Sequence, residues 1–268
     1  MPRPRTRRPG STPRESPHVQ VLDRALTLLE TLSQEENGLG LVEAANRAQL
    51  HPSTTYRLLS TLVSHGFVTH DEETGRYRIG LKAFEVGSAF RLPSELRKLA
   101  PGLLRALMSL TGETANLAIL ERGEVTYIDQ VESPGLLGMH AGIGRRVPAH
   151  CTGAGKAILS RLTEEEVDAI IAEHGLPAYT PHTITQRAAL MEELAKIREQ
   201  GYALDNEEIE VGVRCVAAPV LDDKGRPVAA LSVTGPVTRF HDERLPTLAN
   251  AIRAAAADLS AKLGYRSA

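Results

Sequence analysis

Apolar residues recur at three- and four-residue intervals through the first eighty positions, and then give way to runs that alternate. Val19, Leu22, Ala25, Leu26, Leu29 and Leu32 form one stripe, the mark of a helix with a single buried face. Gly38 and Gly40 interrupt it. Leu41, Ala44, Ala45 and Ala48 then predict a short helix whose small inward residues admit close crossing by a third. That third helix opens at Pro52, since proline has no N–H to leave unpaired at a first helical position. It buries Thr55, Leu58, Leu59 and Leu62 and ends at Gly66. Its opposite face is polar: Ser53, Thr54, Tyr56, Arg57, Ser60 and Thr61. Phe67–Thr69 and Tyr77–Ile79 flank Asp71–Arg76 as two strands and a turn. Three helices and a hairpin in this order predict a winged helix-turn-helix, a geometry that docks in the DNA major groove; a small helical protein-interaction domain is the alternative. Ser53, Thr54, Tyr56, Arg57 and Ser60 on the third helix, with Arg76 in the wing, are the candidate DNA contacts.

Leu81 to Leu92 continues as a helix ending at Pro93, a linker that either contributes to a dimer contact or packs on the winged domain. Beyond it helices and strands alternate. Leu96–Leu110 reads as an amphipathic helix stopped by Gly112, Ala115–Leu120 and Val125–Val131 as strands around a Glu121–Glu124 turn, and Leu136–His140 as a further strand. Helices follow at Ala154–Leu162, from the capping box at Thr163 to Gly175, and at Thr185–Gln200. Val213–Leu221 and Val228–Gly235 are strands joined by Asp222–Gly225, and Asp242–Leu263 is a last helix. Strands joined by tight turns predict an antiparallel sheet with helices packed around it, an α+β domain. The expected organisation is an arm over 1–18, a winged helix-turn-helix over 19–80, a linker helix over 81–94 and an effector-binding domain over 95–268.

Composition modifies this picture in two places. The 268 residues carry a formal net charge of −2, too little positive charge for a purely electrostatic nucleic-acid binder. The first eighteen residues, however, hold Arg3, Arg5, Arg7, Arg8 and Arg14 against Glu15, interleaved with prolines. This arm is expected to be disordered when free, and is either a solubilising tail or an additional DNA contact. Cys151 and Cys215 are too few for a disulfide framework and suit a reducing cytoplasm. No run approaches the ~20 apolar residues of a membrane span.

The candidate chemistry lies in the second half. Cys151–Lys156 places glycines at a helix start, where exposed amides and the helix dipole favour an anion; close packing is the other reading, and the run lacks the pattern of a nucleotide phosphate loop. Alternation puts Ala230, Ser232 and Thr234 on one strand face, with Val213, Cys215 and Ala217 on another, a mixture that suits a small-ligand pocket. Asp205 adds an acceptor. Cys151 beside His150 invites a nucleophile–base reading, but chain neighbours rarely aim at each other and no third residue orients the histidine. The spacing of His140, His150, Cys151 and Cys215 matches no zinc module. Glu207, Glu208 and Glu210 read as a solvated acidic turn. No cofactor, metal or catalytic residue is expected, and a zinc-dependent metabolite-processing enzyme is the alternative class.

Taken in order, these pieces resemble the isocitrate lyase regulator (IclR) family of bacterial transcription factors. The resemblance rests on Leu22–Leu26, Ser53–Leu59 with Leu62, Gly75–Gly80, Pro148–His150 leading to Gly153–Ala157, Gly201–Glu208, Gly212–Pro219 and Ser232–Pro236. It implies a winged helix-turn-helix joined by a linker helix to a GAF-like effector domain, with homodimers or homotetramers on a palindromic operator. It further implies a repressor of a catabolic operon, similar to those that sense glyoxylate, pyruvate or an allantoin-pathway ureide. By that resemblance Gly153 and Ala154 hold a carboxylate, Asp205, Cys215, Ser232 and Thr234 supply polar contacts, and Leu136, Met139, Val147 and Val213 form an apolar wall. Two of the four wall residues are valines where relatives carry leucine, which leaves room for a ureide. Regulation of aromatic-acid catabolism is the alternative within the family.

Overall fold

The computed structural model describes residues 19–87, 94–133 and 142–266. It divides into two compact units, the division falling between the helices α4 and α5. The first unit runs α1 (Gln20–Ser33), β1 (Leu39–Gly40), α2 (Leu41–Arg47), α3 (Pro52–Ser64), β2 (Val68–Asp71), β3 (Arg76–Ile79) and α4 (Leu81–Gly87). A three-stranded sheet of order β1-β3-β2 forms the wing. Its hairpin is closed by Asp71, whose carboxylate accepts the amides of Glu73 and Thr74 at 3.0 and 3.1 Å. The core is Leu28, Leu32, Leu39, Ala44, Ala48, Leu59, Val68 and Tyr77. Pro52 opens α3 and Thr55 and Leu59 are buried from it, as the periodicity predicts.

The register of α1 differs from the predicted stripe. Leu28 and Leu32 enter the core, whereas Val19, Leu22 and Leu26 are 60%, 56% and 48% exposed. The adjacent pair Leu28-Leu29 makes α1 apolar over two neighbouring faces, and packing against α3 selects the face that periodicity alone ranks second.

The second unit runs α5 (Ser94–Thr111), β4 (Thr114–Glu121), β5 (Glu124–Val131), β6 (Arg146–Pro148), a 3-10 turn (Ala149–Cys151), α6 (Gly153–Leu159), α7 (Glu164–His174), α8 (Arg187–Gln200), β7 (Ala203–Asn206), β8 (Val213–Leu221), β9 (Pro227–Pro236) and α9 (Leu245–Lys262). The strands make one antiparallel sheet of order β6-β5-β4-β9-β8-β7. Alternation assigns its two faces. Val216, Ala218 and Val220 with Leu231 and Val233 pack on α5 and α9; Ala217 and Ala230 with Val125 and Tyr127 pack on α6 and α8. The α+β class and the helices and hairpins predicted for this unit are present, with shorter α6, α8 and α9. Pro246 in the first turn of α9 sets its later start. The edge strands β6 and β7 were not foreseen, being short, and the predicted strand at 136–140 lies outside the described residues.

One buried acid ties the sheet to the helical layer behind it. Glu113 is 1% exposed and accepts from Arg239 Nε and from Arg244 at 2.8 Å. Glu113→Ala removes the partner of both guanidiniums, so the expected loss is about 2 kcal/mol, below the ~3–5 kcal/mol of a fully buried broken pair because both arginines retain some solvent. Urea unfolding followed by far-UV circular dichroism measures it; a loss under about 0.5 kcal/mol contradicts the assignment.

Candidate functional site

In the first unit α3 presents the polar face that the sequence predicts. Tyr56, Arg57 and Ser60 are exposed and Thr54 is half-buried. Ser53 is engaged in the cap: its amide and hydroxyl lie 3.3 and 2.8 Å from His51 Nδ1. Ser60 donates back to the Tyr56 carbonyl at 2.8 Å. The Arg57 carbonyl accepts from Thr61 Oγ1 at 3.0 Å, while its guanidinium makes no hydrogen bond or ion pair among the described residues and is the one cation within α3. Arg76 is placed differently from a groove contact. It is half-buried and donates to the Gly38 carbonyl at 2.6 Å, pinning the wing to the loop before β1.

In the second unit the register of the sheet assembles a row of polar side chains. Asp205 on β7 pairs with Cys215 on β8, and Cys215 pairs with Thr234 on β9. Side chains directly opposite in an antiparallel pair share a face at about 5 Å, so the three stand side by side. Asn116 on β4 donates from Nδ2 to Ser232 Oγ and Thr234 Oγ1, both at 3.3 Å. A hydroxyl that accepts from an amide keeps its own proton and a second lone pair, so Thr234 can donate to the space above it or accept from it.

That space is a cavity of about 510 Å³, within the ~300–1,000 Å³ range of small-molecule sites. Asp205, Cys215, Thr234, Val147 and Val213 line it, together with Tyr127, Arg145, Thr152, Tyr179 and Ile209. Ser232, Gly153 and Ala154 are buried behind this surface and are not among its lining. Gly153 backs onto Cys215: a Cβ there would stand 3.0 Å from the sulfur. Gly155 is required for a different reason, because a Cβ would stand 2.2 Å from the Ala149 carbonyl oxygen. The glycines of this run therefore let α6 pack against the chain that precedes it and against β8. Leu136 and Met139 lie outside the described residues.

The electrostatic centre is Lys156, fully buried on α6. Its ammonium donates to the Leu204 carbonyl at 2.7 Å and to Glu208 Oε1, and lies 3.6 Å from Glu193. Glu208 donates its amide to Asp205 Oδ1 at 2.8 Å. The expected solvated turn is thus corrected: Glu208 is buried and paired, and Glu207 accepts the Gly212 amide at 2.8 Å. Its burial follows from Lys156, which sequence patterning does not place. With several carboxyls around one ammonium, the site cannot hold every negative charge. Burial, reinforced by the charge of Glu208, pushes Asp205 up to about 7.

The same burial pushes the Cys151 and Cys215 thiols up to about 12, so neither is a thiolate at neutral pH. The His150 imidazole lies 3.0 Å from the Pro177 carbonyl, and the Cys151 thiol points to the Pro148 carbonyl at 3.9 Å. They do not form a nucleophile–base pair. Among the described residues no group of three or more His, Cys, Asp and Glu side chains is placed to hold a metal. Tyr127, Thr152 and Asn116 escaped sequence reasoning. The position of Asn116 on the Ser232 face needed the β4–β9 pairing, which alternation alone does not give.

A raised acid has a definite consequence for stability. Asp205 in the folded chain keeps its proton up to about pH 7, while the unfolded carboxyl ionises near 4. The native state therefore binds more protons between these values, and its stability falls as pH rises through that window. Asp205→Asn, which keeps the acceptor for the Glu208 amide, is expected to raise Tm at pH 8 relative to the parent and to change it little at pH 4. An equal shift at both pH values contradicts a raised Asp205. Gly155→Ala is expected to cost at least about 2 kcal/mol, since backbone and not a flexible side chain occupies the space. Thermal or urea denaturation reads this loss.

Comparison with known proteins accounts for both units. Residues 21–72 match the IclR helix-turn-helix domain, and residues 93–261 the C-terminal domain of bacterial transcriptional regulators of the IclR type. The chain is 39% identical to the transcriptional repressor IclR of Escherichia coli K12 over 98% of its length and 97% of that protein. It is 37% identical to the transcriptional repressor AllR of the same strain, over 97% of this chain and 96% of that one. The crystal structure of the Thermotoga maritima IclR superposes with a TM-score of 0.76 at 33% identity, covering 92% of this chain and all (100%) of that one. These relatives are transcriptional regulators and not enzymes. The chain belongs to the IclR family: it is a DNA-binding transcriptional repressor with an N-terminal helix-turn-helix and a C-terminal effector domain.

Proposed function

We propose that this repressor governs a catabolic operon and is released from, or retained on, its operator by a small carboxylate bound in the cavity over β7, β8 and β9. The observation that carries the reading is the row Asp205–Cys215–Thr234 along that cavity, with Thr234 accepting from Asn116 and free to donate its proton. Donor hydroxyls and the cation Arg145 suit an anionic ligand, and Asp205 suits a hydroxyl or amide on the same molecule. The volume of about 510 Å³ and the valines at 147 and 213 favour a ureide such as allantoate over glyoxylate or pyruvate. Similarity to AllR is consistent with that choice.

The operator is read by α3, through Tyr56, Arg57, Ser60 and Thr54, with Ser53 completing the helix cap. Arg76 shapes the wing. The protein acts in the cytoplasm as a homodimer or homotetramer on a palindromic site. The exposed Val19 capping α1, Leu22 and Leu26 on α1, and Leu81 on α4, support self-association, as does the need for two half-sites. The domain division that supports this reading is 19–80 for DNA, 81–94 as linker and 95–268 for the effector, with the arm 1–18 adding basic charge. The ligand acts only through a difference in affinity between DNA-competent and incompetent arrangements.

Two substitutions separate the two activities. Arg57→Ala is expected to weaken operator binding by tenfold or more, measured by fluorescence anisotropy, and to leave allantoate binding within twofold. Asp205→Ala is expected to abolish the response of the operator complex to allantoate while DNA affinity stays within threefold. An Asp205→Ala protein that responds at the parent's allantoate concentration removes the cavity from the mechanism.

A further inference from the structure

Four side chains on one face of the sheet join into a hydrogen-bonded row that ends at the cavity. Gln130 on β5 stands opposite Asn116 on β4, and Asn116 stands opposite Ser232 on β9. Gln130 Nε2 donates to Asn116 Oδ1 at 2.8 Å. Asn116 Nδ2 in turn donates to Ser232 Oγ and Thr234 Oγ1. Asn116 and Ser232 are fully buried, Gln130 is half-buried, and Thr234 lines the cavity. Neither Gln130 nor Asn116 is part of that lining.

The row has a sense. An amide nitrogen only donates and an amide oxygen only accepts, so occupying one end of the Asn116 side chain decides what the other end offers. With Gln130 donating to Oδ1, the two Nδ2 protons go to the two hydroxyls. Each hydroxyl accepts one and keeps its own proton. Both hydroxyls also reach the Cys215 sulfur, a weak acceptor that an oxygen anion displaces. Turning both amides over would give a row of the opposite sense. Asn116 Oδ1 would then take the hydroxyl protons, and Thr234 would face the cavity with lone pairs alone.

The sense matters because Asp205, Glu124 and Glu210 line the same cavity. An anionic effector among these carboxyls needs donors on the remaining wall. A hydroxyl reduced to an acceptor would repel it, and in a buried network that error is not screened.

We propose that Gln130 and Asn116 are positioning residues of the effector site. They keep the Thr234 proton available to the effector, and so set the preference of the cavity for an acid over its neutral amide. The inference rests on the reading of the cavity as a carboxylate site and names the side chains that give it that preference.

The test is calorimetric titration of the full chain with allantoate and with its neutral carboxamide, using the parent, Gln130→Glu, Gln130→Met, Thr234→Val and the double variant of Gln130→Glu with Thr234→Val. A carboxylate at position 130 cannot donate. It takes an Nδ2 proton from Asn116 and turns that amide over. Gln130→Glu is expected to lower the acid-over-amide affinity ratio about tenfold, the loss of one hydrogen bond to a charged group. Gln130→Met, which adds no charge and leaves Asn116 able to take either sense, is expected to give an intermediate ratio. In the Thr234→Val background Gln130→Glu is expected to change the ratio less than twofold, because the row no longer ends in a hydroxyl. Weakening of both compounds at a constant ratio shows structural damage and overturns the proposal. An equal fall of the ratio with and without Thr234 shows added charge acting at a distance, and overturns it as well. A parental ratio in both Gln130 variants overturns the role of Gln130. A parent that binds acid and amide equally overturns the preference and leaves the effector site standing. A parent that binds neither overturns the carboxylate reading, and the positioning role with it.

Discussion

A lysine with no exposed surface is the constraint on which the effector domain depends. Lys156 stands on α6, and its ammonium cannot remain buried unless the surrounding chain supplies acceptors. Leu204 supplies a carbonyl and Glu208 a carboxylate, and the two lie on either side of Asp205. Satisfying the lysine therefore fixes β7, the turn after it and the depth of Asp205. Glu208 in turn donates its amide to Asp205. The cavity's acid is held by a chain of contacts that begins on the opposite layer.

That arrangement makes a site lined by a carboxyl compatible with the proposed anionic effector. Near neutral pH Asp205 exchanges between proton donor and proton acceptor, Thr234 accepts from Asn116 and keeps a proton to donate, and both thiols stay protonated. Asp205 and Thr234 can thus each present a proton to a space that Glu124 and Glu210 also line. The absence of a thiolate or a thiol–imidazole pair gives the site recognition without nucleophilic chemistry, as suits a sensor.

Much of this was legible in the chain, for reasons that differ by element. The helices α3 and α7 announced themselves because Pro52 and the Thr163–Glu166 capping box are local signals. The β8–β9 hairpin did so because Asp222 satisfies Lys224 and Arg226 within its own turn. Asp205, Cys215 and Thr234 were found by resemblance and by alternation, both of which survive transfer to one strand. What escaped depends on pairing between distant strands. The buried face of α1 was chosen by packing from two apolar faces of nearly equal merit. Glu208 looked solvated because its lysine is 52 residues away in sequence, and Tyr127 drew no notice within its strand because only the sheet order brings β5 to the cavity.

The central claim, that the cavity over Asp205 is the sensing site of this repressor, is tested most directly by a crystal structure of the full chain grown with allantoate. The account predicts the ligand inside the cavity, beside Asp205, Cys215 and Thr234. Allantoate bound outside that cavity, or an empty cavity at saturating allantoate, contradicts it.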